Sequence, residues 1–147
     1  MFDSIYTIAR LHSKNKAEAV EITEDILDLL GFTDISDWVC SKLPIEKRKW
    51  LDMGRCMVTR PKLMCLDECL AGLTPSEIET SIQLIRKINE ERGITILFIE
   101  HVMAAVAELC HRVVVLNEGR FLMEGIPAEV MHKEEVIKAY LGEDYVC

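Results

Sequence analysis

Two short apolar runs, each stopping abruptly at ionisable residues, dominate the hydrophobic pattern of the chain. The run from Lys62 to Leu66 stops at Asp67 and Glu68, and the run from Thr95 to Ile99 stops at Glu100 and His101. Each is too short for a comfortable helix and apolar at successive positions, which predicts strands buried on both faces of a parallel sheet. Between them, Pro75 to Arg92 repeats Ile78, Ile82, Ile85 and Ile88 at helical spacing. Strand, crossover helix and strand make a βαβ unit, whose handedness brings both strand ends to one edge of the sheet. Asp67, Glu68 and His101 are therefore expected to converge in one crevice, where open parallel sheets hold their ligands. Two adjacent acids and a histidine there suit a magnesium–phosphate site: one carboxylate near the metal, one polarising a water, an imidazole at the terminal phosphate. Taken singly, the acids also suit a solvated strand end or helix cap, and His101 an ordinary helix N-terminal residue.

Elsewhere the pattern is helical. Lys16 to Leu30 places Val20, Ile26, Leu27 and Leu30 on one face, and Gly31 is a good stop. Asp34 to Val39 reads as a short helix or turn, and Pro44 to Thr59 as a longer helix that ends before Pro61. Phe2 to Leu11 fits a strand or helix leading into this region. The chain is thus expected to be helical to about Thr59, to alternate strand and helix from Lys62 to about Gly125, and to be helical again from Pro127. That is an α/β fold with a helical subdomain over residues 1–60. Residues 61–147 would form half of a parallel sheet with terminal helices.

Composition narrows the function classes. The 147 residues carry a net charge of −8, and half are hydrophobic. Basic residues are scattered apart from Lys47, Arg48 and Lys49, which argues against a nucleic-acid-binding face. No stretch approaches the roughly 20 apolar residues of a membrane span, and the residues after Met1 lack the pattern of a signal peptide. Six cysteines (Cys40, Cys56, Cys65, Cys69, Cys110, Cys147) lack metal-ligand spacing. They are expected to be reduced and structural, with Cys56 and Cys65 packed apolarly, which suits the cytoplasm.

The order Asp67-Glu68, then Ala71, Gly72, Leu73 and Thr74, then Ile99, Glu100 and His101 resembles the ATP-binding subunits of ABC transporters. Within them it is most similar to the branched-chain amino acid (LivG-like) group. The resemblance runs from about Phe2 to Asp144. It includes the run from Cys110 to Arg120 as the strand after the switch, and the segments Gly125–Val130 and Val136–Gly142 as the carboxyl-terminal helices. It implies that Lys62 to Asp67 is the Walker B strand, with Asp67 holding Mg²⁺ through water. It makes Glu68 the catalytic base, Ala71 to Thr74 the D-loop, and His101 the switch histidine. It also implies ATP and Mg²⁺ as ligands of the complete domain, a second ATP-binding subunit as homo- or heterodimeric partner, and membrane subunits of a transporter docked on the helical subdomain. The protein would then be cytoplasmic and peripheral on the inner face of the plasma membrane through those partners.

Two departures from the family pattern matter. A P-loop, Gly-x-x-x-x-Gly-Lys-Ser/Thr, is absent: none of Gly31, Gly54, Gly72, Gly93, Gly119, Gly125 and Gly142 precedes Lys-Ser or Lys-Thr. The chain therefore resembles the carboxyl-terminal part of the ATPase domain. The family signature, Leu-Ser-Gly-Gly-Gln, aligns with Leu43, Pro44, Ile45, Glu46 and Lys47. Pro44 suits a helix start, whereas Ile45 adds bulk and Glu46 adds like charge where a phosphate would approach. The expected function is energy coupling in an importer of branched-chain amino acids or a related polar solute, without ATP hydrolysis by this chain alone. A non-catalytic module docking on membrane subunits or on an intact ATPase, and a decayed fragment, are the other classes.

Overall fold

The starts of α-helices at Asn15 and Thr74, and the stops at Gly31 and Gly93, have local chemical causes. The computed structural model describes residues 1–141; the expectations at Gly142, Asp144 and Cys147 lie outside the described residues. Helix α1 (Phe2–His12) buries Ile5 and Ala9, and the Met1 ammonium is donated to the carbonyls of Ser36 (2.9 Å) and Trp38 (2.6 Å). Helix α2 (Lys16–Leu29) begins where the Asn15 side chain accepts the Glu18 N–H at 2.9 Å. It ends before Gly31, whose φ of +68° is the left-handed conformation expected just past a helix. Short 3₁₀ turns at Thr33–Ile35 and Cys40–Lys42 lead to α3 (Ile45–Met57), with Pro44 as its N-cap residue.

Strand β1 (Leu63–Asp67) follows, then α4 (Pro75–Arg92) and β2 (Thr95–Ile99). The two strands pair in parallel with Leu63 opposite Thr95 and Asp67 opposite Ile99, so the βαβ unit is present as read. On α4, Ile82, Ile85 and Ile88 are buried at the spacing seen in the sequence. The core of this region gathers Ile5, Leu27, Phe32, Leu43, Leu70 and Ile88. Gly54 lets α3 press on α2: a Cβ there would stand 2.7 Å from Leu30 Cδ1 and 3.1 Å from Ile26 Cγ2.

Two expectations are corrected. The strands are not buried on both faces: Met64 and Leu66 are buried, while Leu63, Cys65, Leu97 and Ile99 lie on an exposed face. An apolar run signals two-sided burial only when both faces are covered, and here one face is exposed. For the same reason Cys65 is exposed, and Cys56 is exposed on the outer side of α3; neither packs apolarly.

The chain divides by contacts into two compact units, Met1–Ile99 and Glu100–Cys147. Residue 60 marks the change from helices alone to strands and helices, but α3 and α4 hold the first unit together across it. The Trp50 indole N–H, for example, donates to Ser81 Oγ at 3.0 Å.

The second unit holds α5 (Met103–Leu109), β3 (Val113–Asn117), β4 (Arg120–Gly125), α6 (Pro127–Val130) and α7 (Glu134–Leu141). The strand expected after His101 is β3, yet it pairs antiparallel with β4, so strand and helix do not simply alternate to Gly125. The connecting pair, Glu118 (φ +49°) and Gly119 (φ +75°), has both central residues left-handed, as a tight two-residue hairpin demands. Ala105, Val106, Pro127, Val130 and Val136 form the buried part of this unit.

Candidate functional site

The acidic pair stands where β1 runs out. Asp67 is the last strand residue, exposed, and in register with Ile99 at the end of β2. Glu68 turns the chain away from the sheet with φ +45°, a conformation that costs a residue with a side chain about 1–2 kcal/mol. Its backbone is held from three directions. The Glu68 N–H donates to Ile99 O at 2.9 Å, and its carbonyl accepts the Ala71 N–H at 3.1 Å. Lys49, from α3, places its ammonium 3.4 Å from the Glu68 carbonyl and 2.6 Å from that of Ala71.

The following segment is built for a tight exit into α4. Gly72 has φ +77°, and the Leu73 N–H donates to Leu70 O at 3.3 Å. Thr74 then caps α4 in a reciprocal box with Glu77: Thr74 Oγ1 accepts the Glu77 N–H at 3.4 Å, and Glu77 Oε2 accepts the Thr74 N–H at 2.8 Å. The hydrogen bonds from Thr74 hold the Glu77 carboxyl below the usual carboxylate range.

The five residues aligned with the signature reach the same neighbourhood by a different route. A Cβ at Gly72 would meet Ile45 Cδ1 at 3.9 Å, so the start of α3 and the turn after β1 are adjacent. Leu43 is buried at 1% exposure and belongs to the core, while its carbonyl accepts from Arg48 Nε at 2.8 Å. Pro44 begins α3 with no side-chain cap, and Ile45 is 49% exposed. Glu46 accepts the Thr80 hydroxyl at 2.6 Å. Lys47 stands over the Phe32 and Trp50 rings, 5.4 and 5.3 Å from their centroids. Glu46 and Lys47 thus have partners inside the unit. Trp50 is likewise engaged there, stacked on Phe32, while Trp38 is half exposed.

His101 opens the second unit. Its side chain is 57% exposed, with Nδ1 3.9 Å from Glu100 Oε2. Its N–H donates to that oxygen at 3.3 Å, and its carbonyl accepts the Tyr140 hydroxyl at 2.6 Å. Asp67, Glu68, the segment from Ala71 to Thr74 and the start of α3 are thus assembled within the first unit. His101 follows two residues beyond the end of β2. Nothing local in the sequence marks Lys49 or Tyr140 as a turn or backbone partner: one lies in a basic run, the other in a segment read only through its resemblance to the carboxyl-terminal helices.

Among the described residues no group of three or more His, Cys, Asp or Glu is arranged to hold a metal. What stands at the strand end, an exposed carboxylate beside a second one, fits an ion that keeps its waters and shares a phosphate, as Mg²⁺ does. Two clefts of about 390 and 650 Å³ lie elsewhere in the first unit, the first between Asp25, Arg60 and Arg92, the second between Ile8, Cys56 and Cys65.

The fold is that of part of the ATP-binding cassettes of ABC transporters, as the comparisons show. BraF of Pseudomonas aeruginosa, a high-affinity branched-chain amino acid transport ATP-binding protein, is 36% identical over 130 residues, covering 88% of this chain and 51% of BraF. LivG of Escherichia coli K12, of the same description, is 35% identical over 128 residues, covering 87% of this chain and 50% of LivG. CbiO1 of Clostridium perfringens, part of the ABC transporter complex CbiONQ, superposes with a TM-score of 0.80 at 28% identity, over 91% of this chain and 55% of CbiO1. MJ1267, an ATP-binding cassette of an ABC transporter, shares the fold at a TM-score of 0.80 and 22% identity, over 97% of this chain and 62% of MJ1267. No protein-family model matches the chain. The chain is similar to the ATP-binding subunits of ABC transporters, those of the branched-chain amino acid group among them, and its sequence has no P-loop. It spans about half the length of these curated relatives.

Proposed function

We propose that this chain is the Walker B and D-loop part of the ATP-binding subunit of an ABC importer, serving uptake of branched-chain amino acids or a related polar solute. The observation that carries this is the acidic pair at the end of a parallel strand, on a left-handed turn that leads directly into a capped crossover helix. In this reading Asp67 holds Mg²⁺ through water, and the ion supplies neutralisation of phosphate charge when bound. Glu68 takes the proton of the attacking water, and His101 contacts the terminal phosphate. Ala71, Gly72, Leu73 and Thr74 form the D-loop facing a second ATP-binding subunit, and the residues Leu43 to Lys47 occupy the signature position. Transporter membrane subunits are the docking partners, which places the protein peripherally on the inner face of the plasma membrane. Among the described residues no helix is long and apolar enough to cross a membrane.

The chain alone is not competent for hydrolysis in this reading, because phosphoryl transfer depends on positioned phosphates and the sequence has no P-loop to position them. The uncovered face of Leu63, Cys65, Leu97 and Ile99 supports a complementary polypeptide that brings that loop. A second reading, a non-catalytic module docking on membrane subunits or an intact ATPase, is favoured by the internal partners of Glu46 and Lys47.

Calorimetric titration of MgATP into the 147-residue chain, with Glu68→Gln alongside, tests the first reading. No saturable binding in the millimolar range is expected. Saturable binding to both would overturn the incomplete site. Turnover restored by a P-loop-bearing chain and abolished by Glu68→Gln would exclude the non-catalytic reading. Docking without turnover would favour it.

A further inference from the structure

We infer that Lys49 is a positioning residue for Glu68: its ammonium, donated to the backbone carbonyls of Glu68 and Ala71, holds the turn in which Glu68 stands. The functional weight of this rests on the reading of Glu68 as the water-activating group; the latch itself does not. Glu68 has φ +45°, and a side-chain-bearing residue keeps such a conformation only where its surroundings over-determine it. Two bonds of the turn, Glu68 N–H to Ile99 O and Ala71 N–H to Glu68 O, come from the sheet and from the turn itself. Lys49 reaches it from α3, with its ammonium 2.6 Å from Ala71 O and 3.4 Å from Glu68 O. A charged donor on a carbonyl makes a stronger bond than a neutral pair.

The same helix is tied on one side to α4, since Glu46, one helical turn before Lys49, accepts the Thr80 hydroxyl at 2.6 Å. A shift of α3, whose first turn includes three of the residues aligned with the family signature, would therefore be passed through the Lys49 stem to the backbone of Glu68. The family signature and the water-activating carboxylate would be mechanically linked within one subunit. Sequence hides this because a lysine in a basic run reads as a solvated residue.

The test is amide exchange by NMR on the full 147-residue chain with Lys49→Met, which keeps the apolar stem and removes the donors. Exchange at Ala71 and Leu73 is expected to rise about tenfold, the effect of losing one hydrogen bond to a charged group. The Cα shift and HN–Hα coupling of Glu68 are expected to lose their left-handed values, while Leu27 in α2 and Ile88 in α4 keep their protection. Lys49→Arg should restore much of the turn. Unchanged exchange at Ala71 with an unchanged Glu68 coupling in folded Lys49→Met would overturn the proposal.

If that variant loses protection at Leu27 and Ile88 as well, the wild-type chain decides. The Lys49 ammonium ¹⁵N signal should exchange with solvent more slowly than that of exposed Lys87, and equal rates would overturn the latch. Glu68→Gln leaves these signals in place, so a failed catalytic role for Glu68 and a failed latch are separately visible.

Discussion

At Gly54 one hydrogen atom decides how closely two helices approach. A β-branched side chain there would drive into Leu30 Cδ1 and Ile26 Cγ2, both in the core. Gly54→Val is expected to lower stability by about 1–3 kcal/mol, the usual cost of overpacking, as a shift in urea midpoint with an unchanged slope. The cysteines separate on the same principle of local surroundings. Cys56 and Cys65 are exposed, whereas burial pushes the Cys110 thiol up. Alkylation of the native chain followed by mass spectrometry should label Cys56 and Cys65 well before Cys110. Equal rates at all three would mean that the second unit opens freely. At this scale the positions of Asp67 at the end of β1, and of Glu68 and His101 just beyond β1 and β2, were legible, because ionisable groups interrupt apolar runs there; their chemical roles belong to the proposal. Lys49 was not, since its partners are carbonyls of a turn 19 and 22 positions further along the chain, which no local pattern encodes.

Among the elements, α4 is the most completely specified. Thr74, Pro75, Glu77 and Gly93 supply cap, first-turn proline, capping-box acid and left-handed stop, and the isoleucines supply the buried face. Thr74→Ala is expected to cost about 1 kcal/mol, seen as a lower melting temperature and faster exchange in the first turn of α4. The Glu77 carboxyl adds a pH dependence whose sign follows from its lowered pKa. Its contribution is complete above the ordinary carboxylate pKa and is lost as pH falls through the depressed folded-state value. Acid titration should therefore loosen this cap below the usual carboxylate range, and Glu77→Gln should flatten that limb. The hairpin of β3 and β4 departs from the expected alternation of strand and helix, although its signal, Glu118 and Gly119 between two apolar runs, is in the sequence.

For the first unit, the decisive feature is an exposed apolar sheet face. Leu63, Leu97 and Ile99 are each more than half exposed, and with Cys65 they form one side of a two-stranded sheet. The sequence could not reveal this, because an apolar run looks the same whether or not another layer lies above it. A surface of this kind associates with whatever apolar partner is available, and among the described residues β1 and β2 pair only with each other. Leu97→Lys places a charge in the middle of the face without disturbing Met64 or Leu66 beneath it. Its effect on unfolding free energy is expected to stay within about 0.5 kcal/mol, as for surface substitutions generally. Sedimentation velocity should show less self-association than wild type at equal concentration, and recovery of a P-loop-bearing chain in co-purification should fall. Reduced self-association with undiminished recovery would mean that the complementary chain binds elsewhere, and that this face must be covered by some other layer.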